Sequence, residues 1–295
     1  MSKVRNPMPQ AVTVPALKER KAAGERCVML TAYDYPSARV AEDAGADVLL
    51  VGDSLGMVVQ GQQDTLGVTL DQMVYHSAMV ARAAKRALVV SDMPFLTYHT
   101  GFKDAIRNCG RCLQEAGVQG VKIEGGAKRA PLIRRLVQNG IPVMAHIGLT
   151  PQSLHALGGF KVQGKTLEAA DELLKDARAV EQAGAFAMVL ECIPSEVARE
   201  ITARAGILTI GIGAGPHCDG QVLVFHDVLG LYDGPTPHHV RVYGEFGKLM
   251  REALGRFKED VLSGRFPTEE EAFHLSPELA EIFCAKERDA DPSSR

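Results

Sequence analysis

A recurring rhythm constrains this chain's fold more than any single motif. An Ala-Gly helix stop, a short turn, an apolar run and then an acid occur three times: Ala44-Gly45 leads to Asp53, Ala116-Gly117 to Glu124, and Ala183-Gly184 to Glu191. Apolar runs too short for a helix, bounded by glycine and polar residues, are the signature of strands buried on both faces. The glycine supplies the left-handed residue that closes the preceding helix. The stretches between the three units differ, so this is a rhythm of alternating helix and strand and not a solenoid repeat.

Taken in order, the pattern predicts an opening helix from an N-cap at Thr13 to about Ala23, stopped by Gly24. Eight strands follow at Cys27–Ala32, Val48–Val51, Ala87–Val90, Gly120–Ile123, Ile141–Ala145, Ala185–Leu190, Leu208–Ile212 and Val222–Phe225. Helices are expected over Ser37–Ala44, Thr69–Lys85, Lys103–Ala116, Lys128–Gln138, Leu167–Gln182 and Ser195–Ala205. Uninterrupted alternation with short connections calls for parallel strands and crossover helices, hence an α/β fold: a (β/α)8 TIM barrel with an extra N-terminal helix and a C-terminal helical extension. Two connections are long. Gly56–Val68 reads as a loop, and the Gly-, Gln- and Lys-rich stretch from His146 to Thr166 reads as a flexible lid or an oligomer contact, the lid being preferred. The expected organisation is one domain over 1–295: barrel about 25–230, helical extension about 240–286, and a disordered acidic, Ser-rich tail over 287–295.

Charge and cysteine usage narrow the functional classes. The formal charge is -3 with acids and bases interleaved, so no basic stripe points to nucleic acid or a membrane surface. The first ten residues do not read as a signal peptide and no apolar segment reaches spanning length, so a soluble, cytoplasmic protein is expected. Trp is absent, and Ala, Val, Leu and Gly are plentiful, which suits helices packed closely on a parallel sheet. Six cysteines in a chain this long are no disulfide framework. Cys109 and Cys112 have C-x-x-C spacing, but they lie in a helix without a second pair and read as two small residues on one face. Gly211-Ile212-Gly213-Ala214-Gly215 follows the seventh strand, whereas a dinucleotide fingerprint opens the first β–α unit.

In such a barrel the chemistry gathers at the carboxyl ends of the strands. Asp53, Asp92, Glu124, His146 and Glu191 follow strands two to six. Several acids aimed at one mouth repel one another unless a cation or protons compensate. A hard divalent ion taking oxygen ligands is the simplest compensation, which makes Asp53, Asp92 and Glu124 the metal set and Mg²⁺ the favoured ion. Lys122 shares a strand face with Glu124 and is placed to meet a substrate carboxylate. Glu191, from farther round the ring, is placed as a general base, so the group reads as an enolate-forming site. A non-catalytic barrel that binds a metabolite is the reading from another class.

The residues also carry a family resemblance. The stretches Leu30-Thr31-Ala32-Tyr33-Asp34-Tyr35-Pro36, Val51-Gly52-Asp53-Ser54-Leu55-Gly56-Met57, Ser91-Asp92-Met93-Pro94-Phe95, Val121-Lys122-Ile123-Glu124-Gly125-Gly126 and His146-Ile147-Gly148-Leu149-Thr150-Pro151-Gln152 are among those that match. With Gly211–Gly215 and Cys218-Asp219-Gly220-Gln221, they span nearly the whole barrel in one order. The chain resembles the ketopantoate hydroxymethyltransferase family. The resemblance implies a Mg²⁺-dependent transfer of a one-carbon unit from 5,10-methylenetetrahydrofolate to 3-methyl-2-oxobutanoate through a metal-stabilised enolate, giving 2-dehydropantoate for pantothenate and coenzyme A synthesis. It implies metal ligation by Asp53, Asp92 and Glu124, contacts to the oxoacid from Asp53, Ser54, Asp92, Lys122 and His146, and Glu191 as the base. It further implies a homodecamer, a pentamer of dimers, built with help from the C-terminal helices. The phosphoenolpyruvate mutase and isocitrate lyase type shares the Asp-Ser pair and acid layout, but it needs a catalytic cysteine loop after strand four that is missing here.

Overall fold

The computed structural model describes residues 11–231, 234 and 236–290. The strands are β1 (Cys27–Thr31), β2 (Val48–Val51), β3 (Leu88–Asp92), β4 (Gly120–Glu124), β5 (Val143–Gly148), β6 (Ala187–Glu191), β7 (Leu208–Ile212) and β8 (Gly220–Leu223). Each pairs in parallel with the next, and β8 pairs with β1, so the sheet closes into the expected barrel. The helices are α1 (Val14–Ala23), α2 (Tyr35–Asp43), α3 (Leu55–Val58), α4 (Leu70–Ala83), α5 (Phe102–Gln114), α6 (Ala130–Gln138), α7 (Leu154–Leu157), α8 (Leu167–Gln182), α9 (Ser195–Arg204), α10 (Phe225–Val228), α11 (Phe246–Leu262) and α12 (Pro277–Ala290).

The strands show why their runs lack a polar alternation. Met29, Val48, Leu50, Leu88, Val90 and Ile210 fill the interior. Leu49, Val51, Val89, Val121, Ile123 and Leu190 point the other way and pack beneath the helices. Both faces are apolar because both are covered, and each large side chain so buried contributes on the order of 1.5–3 kcal/mol.

Several boundaries differ from the sequence reading. The second helix starts at Tyr35, not Ser37: Asp34 caps it by accepting from the Ser37 N–H at 2.8 Å, and Pro36 sits harmlessly in the first turn. Strands three, four, five and six run to Asp92, Glu124, Gly148 and Glu191, so three of the acids are strand residues whose direction is set by the sheet. Strand eight is Gly220–Leu223 instead of Val222–Phe225, since its register with β1 begins at Cys27↔Gly220 and the Phe225 N–H is taken by Thr31 Oγ1. The stretch 56–68 is not all loop, because α3 occupies its start. In the stretch expected to be a lid, a 3-10 turn over Pro151–Ser153 and then α7 follow β5 directly. The helix expected near the C-terminus continues to Ala290 where a disordered tail was expected, and residues 291–295 lie outside the described residues.

The chain divides into two compact units, residues 1–244 and 245–295. The second contains α11 and α12, and its apolar side chains are largely uncovered: Leu249, Met250, Leu254, Phe257, Ile282 and Phe283 are all more than half exposed. Among the described residues no helix is long and apolar enough to cross a membrane.

At the amino ends of the strands, polar residues serve stability. Asp47 bridges Arg20 of α1 at 2.8 Å and Arg86 at 3.0 Å, and Lys21 reaches Asp219 at 2.9 Å, fastening α1 across that end. Glu42 on α2 accepts the backbone N–H groups of Lys85, Arg86 and Ala87 and pairs with Arg39 at 3.3 Å. Burial alone would raise its pKa, but those donors outweigh burial and hold the carboxyl below its usual range. A folded-state pKa below the unfolded value gives stability that is present above the unfolded pKa, near 4.3, and lost as pH falls through the folded one. Glu42→Ala should therefore cost about 2–4 kcal/mol at pH 7 by urea unfolding, with the gap to the unaltered chain shrinking below about pH 4. A gap that is unchanged across that range would count against the account.

Candidate active site

The register of the sheet builds the site. Side-by-side residues of parallel strands face the same way, and Asp92 on β3 pairs with Lys122 on β4 while Glu124 on β4 pairs with His146 on β5. Lys122 and Glu124 are two apart, so both point into the mouth. Farther round, Gly148 pairs with Glu191 on β6. The result is a row of alternating charge. Lys122 Nζ lies 2.8 Å from Asp92 Oδ1 and 3.9 Å from Glu124 Oε1, His146 Nδ1 lies 3.6 Å from Glu124 Oε1, and His146 Nε2 lies 3.1 Å from Glu191 Oε2.

Asp53 joins from the turn after β2, its N–H donating to Asp92 Oδ2 at 3.4 Å. Gly52, just before it, passes so close that a Cβ would stand 2.7 Å from Ser54 Oγ. Gly148 has φ +95, and a Cβ there would stand 2.3 Å from the Glu191 carbonyl, so a side chain would push the β5–β6 rim apart. Asp53, Asp92, Lys122, Glu124 and His146 are all buried, whereas the Glu191 side chain is 16% exposed and reaches the open rim.

Burial, followed by repulsion from Asp92 and Glu124, pushes the Asp53 carboxyl well above the usual range. Asp92 is also raised, by burial against the pull of Lys122. Burial would raise Glu124 too, but the nearby His146 ring and the Lys122 charge outweigh it and bring it down. The three acids keep Lys122 charged despite its burial. For His146, burial and Lys122 press toward the neutral ring, yet Glu124 and Glu191 win and lift it to about 9. Two acids pushed up and one down, around a single ammonium, describe a site short of positive charge.

That shortage is where a cation would act. Asp92 Oδ1 and Glu124 Oε1 are buried and have ion-pair contacts but no well-directed hydrogen bond. Hard oxygen donors with unused lone pairs suit Mg²⁺ chemically. As they stand, no three His, Cys, Asp or Glu side chains among the described residues are spaced to hold an ion.

Ser54 meets a residue that was not expected in the site. Its hydroxyl lies 2.8 Å from the buried Tyr33 hydroxyl, on the β1 side of the mouth. Tyr33 was not expected in the site, nor were Gln152 and Tyr98. Gln152 donates from Nε2 to Asp53 Oδ2 and to the Met93 carbonyl, each at 2.8 Å, and from its backbone N–H to Glu124 Oε2 at 3.1 Å. Tyr98 donates its hydroxyl to Gln152 Oε1 at 2.7 Å. No local pattern marks Gln152, because it lies in an aperiodic stretch and is buried only by the fold. Cys109 and Cys112 are buried free thiols on α5, in agreement with a packing role.

Comparison with known proteins follows the same outline. The family profile described as Ketopantoate hydroxymethyltransferase matches residues 11–269. The chain is 54% identical over 270 residues to 3-methyl-2-oxobutanoate hydroxymethyltransferase of Carboxydothermus hydrogenoformans, covering 92% of this chain and 98% of the relative. It is 51% identical over 276 residues to the protein of that name from Heliobacterium modesticaldum, covering 94% and 100%. Among solved structures it is similar to 2,3-dimethylmalate lyase, a member of the phosphoenolpyruvate mutase/isocitrate lyase superfamily, with TM-score 0.54, 21% identity and coverage of 96% and 98%. A phosphonomutase-like protein of Burkholderia cenocepacia aligns with TM-score 0.59 at 17% identity, covering 83% and 98%. At such identities the structural likeness concerns the fold alone.

Proposed function

The chain belongs to the ketopantoate hydroxymethyltransferase family, and from that membership and the charged row at the barrel mouth we propose how it performs hydroxymethyl transfer to 3-methyl-2-oxobutanoate in pantothenate synthesis. The one-carbon donor is 5,10-methylenetetrahydrofolate and the product is 2-dehydropantoate. The observation that carries the reading is the position of Glu191. It is the one carboxylate of the row at the open rim, 3.1 Å from the buried His146, whose other ring nitrogen lies 3.1 Å from Lys122 Nζ and 3.6 Å from Glu124.

Lys122 pairs with the carboxylate of the oxoacid, and Asp92 holds that ammonium in place. Ser54, steadied by Tyr33, donates a hydrogen bond to the same substrate. Asp53, Asp92 and Glu124 are the residues that would hold Mg²⁺, whose chemistry there would be to polarise the 2-oxo carbonyl and offset the charge gathering on its oxygen. Glu191 removes the proton from C3, and His146 keeps its carboxylate aimed there. C3 then forms a bond to the one-carbon unit at the formaldehyde level. Water supplies the hydroxyl oxygen of the product and the two protons taken up by the folate nitrogens, and the C3 proton is returned to the new alkoxide.

All six cysteines are free, which suits a reducing compartment such as the cytoplasm. The uncovered apolar side chains of α11 and α12 support an oligomer of this chain, the decamer that the resemblance implies. Light scattering at micromolar concentration should then report a mass several times that of one chain, and a monomer would refute the oligomer. Glu191→Gln should slow both turnover and folate-independent exchange of the C3 proton in D2O, followed by NMR, by about 10²–10⁴-fold. Exchange at the unaltered rate would end the case for Glu191 as base. Treatment with a chelator should abolish transfer and Mg²⁺ should restore it; indifference to the chelator would remove the metal assignment.

A further inference from the structure

We propose that Gln152 is the positioning residue of the carboxylate group, engaging one oxygen each of Asp53 and Glu124, the acids that would receive the cation and the oxoacid; this rests on the assignment of those two acids above. The residue lies in the 3-10 turn Pro151–Ser153 immediately after β5 and is nearly buried. Its backbone N–H and its whole side-chain amide are engaged. The backbone N–H holds Glu124 Oε2, the two amide protons go to Asp53 Oδ2 and the Met93 carbonyl, and the amide oxygen accepts from Tyr98.

The chemistry leaves one orientation of the carboxamide. A backbone carbonyl can only accept, so the nitrogen must face Met93, and the same nitrogen then faces Asp53. Burial, then the nearby Glu124 and Asp92 charges, push the Tyr98 phenol up, so it stays protonated and donates to the amide oxygen. Tyr98 is itself confined, with the Arg129 guanidinium 5.3 Å from its ring centroid and the His99 ring at 4.2 Å. The line Arg129–Tyr98–Gln152 therefore ends on two acids, one in the turn after β2 and one at the end of β4.

What this does for Glu124 is specific. One of its oxygens, Oε2, is held by the Gln152 N–H, while Oε1 is buried without a well-directed hydrogen bond. A carboxylate held by one oxygen has lost much of its rotational freedom before any ligand arrives, so less is lost on binding. A glutamate at position 152 would keep the backbone N–H that holds Glu124 but would offer Asp53 another negative charge in place of the amide N–H. Partners of this kind, touching the ligand-bearing group and not the ligand, typically contribute about 10–100-fold in metal affinity.

The test uses Gln152→Met, which keeps the length and the backbone N–H to Glu124 but removes the amide that holds Asp53, and Tyr98→Phe, which removes only the hydroxyl. Mg²⁺ alone is titrated calorimetrically into each full-length chain, alongside thermal melting and steady-state kinetics. Gln152→Met should bind Mg²⁺ about 10–100-fold more weakly and raise KM for 3-methyl-2-oxobutanoate more than it lowers kcat, while keeping a cooperative melt. Tyr98→Phe should move in the same direction by less, and adding it to Gln152→Met should weaken Mg²⁺ binding no further. Unaltered Mg²⁺ affinity in both variants, with the unaltered chain binding, overturns the role of Gln152 alone. No Mg²⁺ binding by the unaltered chain overturns the assignment of Asp53 and Glu124 and this inference with it. If Gln152→Met does not fold, Tyr98→Phe decides, and native affinity in that variant overturns the proposal.

Discussion

A single buried ammonium, Lys122, among three buried carboxylates is the interaction on which the rest of the site depends. Breaking a buried pair by removing one partner typically costs about 3–5 kcal/mol, because the remaining charge stays out of water. Here one cation faces Asp92 at 2.8 Å and Glu124 at 3.9 Å, with Asp53 close enough to help raise its pKa. Such an arrangement is a poor way to gain stability and a good way to keep negative charge concentrated where a cation or an electrophilic carbonyl is to bind. The apolar barrel around it supplies the stability that the site gives up.

The site is polarised along the rim. Asp53 and Asp92 stand at one end, deep and with raised pKa values; Glu191 stands at the other, partly open to solvent. His146 joins the two halves, with Glu124 on one ring nitrogen and Glu191 on the other. In the proposed reaction, a substrate bridging this row meets charge compensation at one end and the proposed base at the other. The fold neighbours with lyase and phosphonomutase names show that the barrel frame is shared, while the family is decided by relatives at about half identity along nearly the whole chain.

Much of this was legible in the residues. The eight strands, the helix from Leu167 to Gln182 and strand seven from Leu208 to Ile212 followed from apolar runs and glycine stops, because those patterns are local. Boundaries moved where tertiary pairing overrode the local signal. The polar ends of strands three, four and six look like loop residues, but the ladder continues through them. Ser54 was expected to contact the oxoacid, and its hydroxyl meets that of Tyr33, a contact between residues from different strand ends that spacing does not encode.

Sequence by itself determined the barrel, the acids at the carboxyl ends of its strands and the shared face of Lys122 and Glu124, since periodicity and strand order suffice for those. Only the tertiary structure decided which side chains meet. Register set Asp92 against Lys122 and Glu124 against His146, and closure of the ring brought His146 to Glu191. A loop glutamine and a tyrosine from after β3 became partners of the carboxylates for the same reason. Hydrogen bonding acts over about 3 Å in space, and residues as far apart as Asp53 and Gln152 come within that reach only once the barrel has closed.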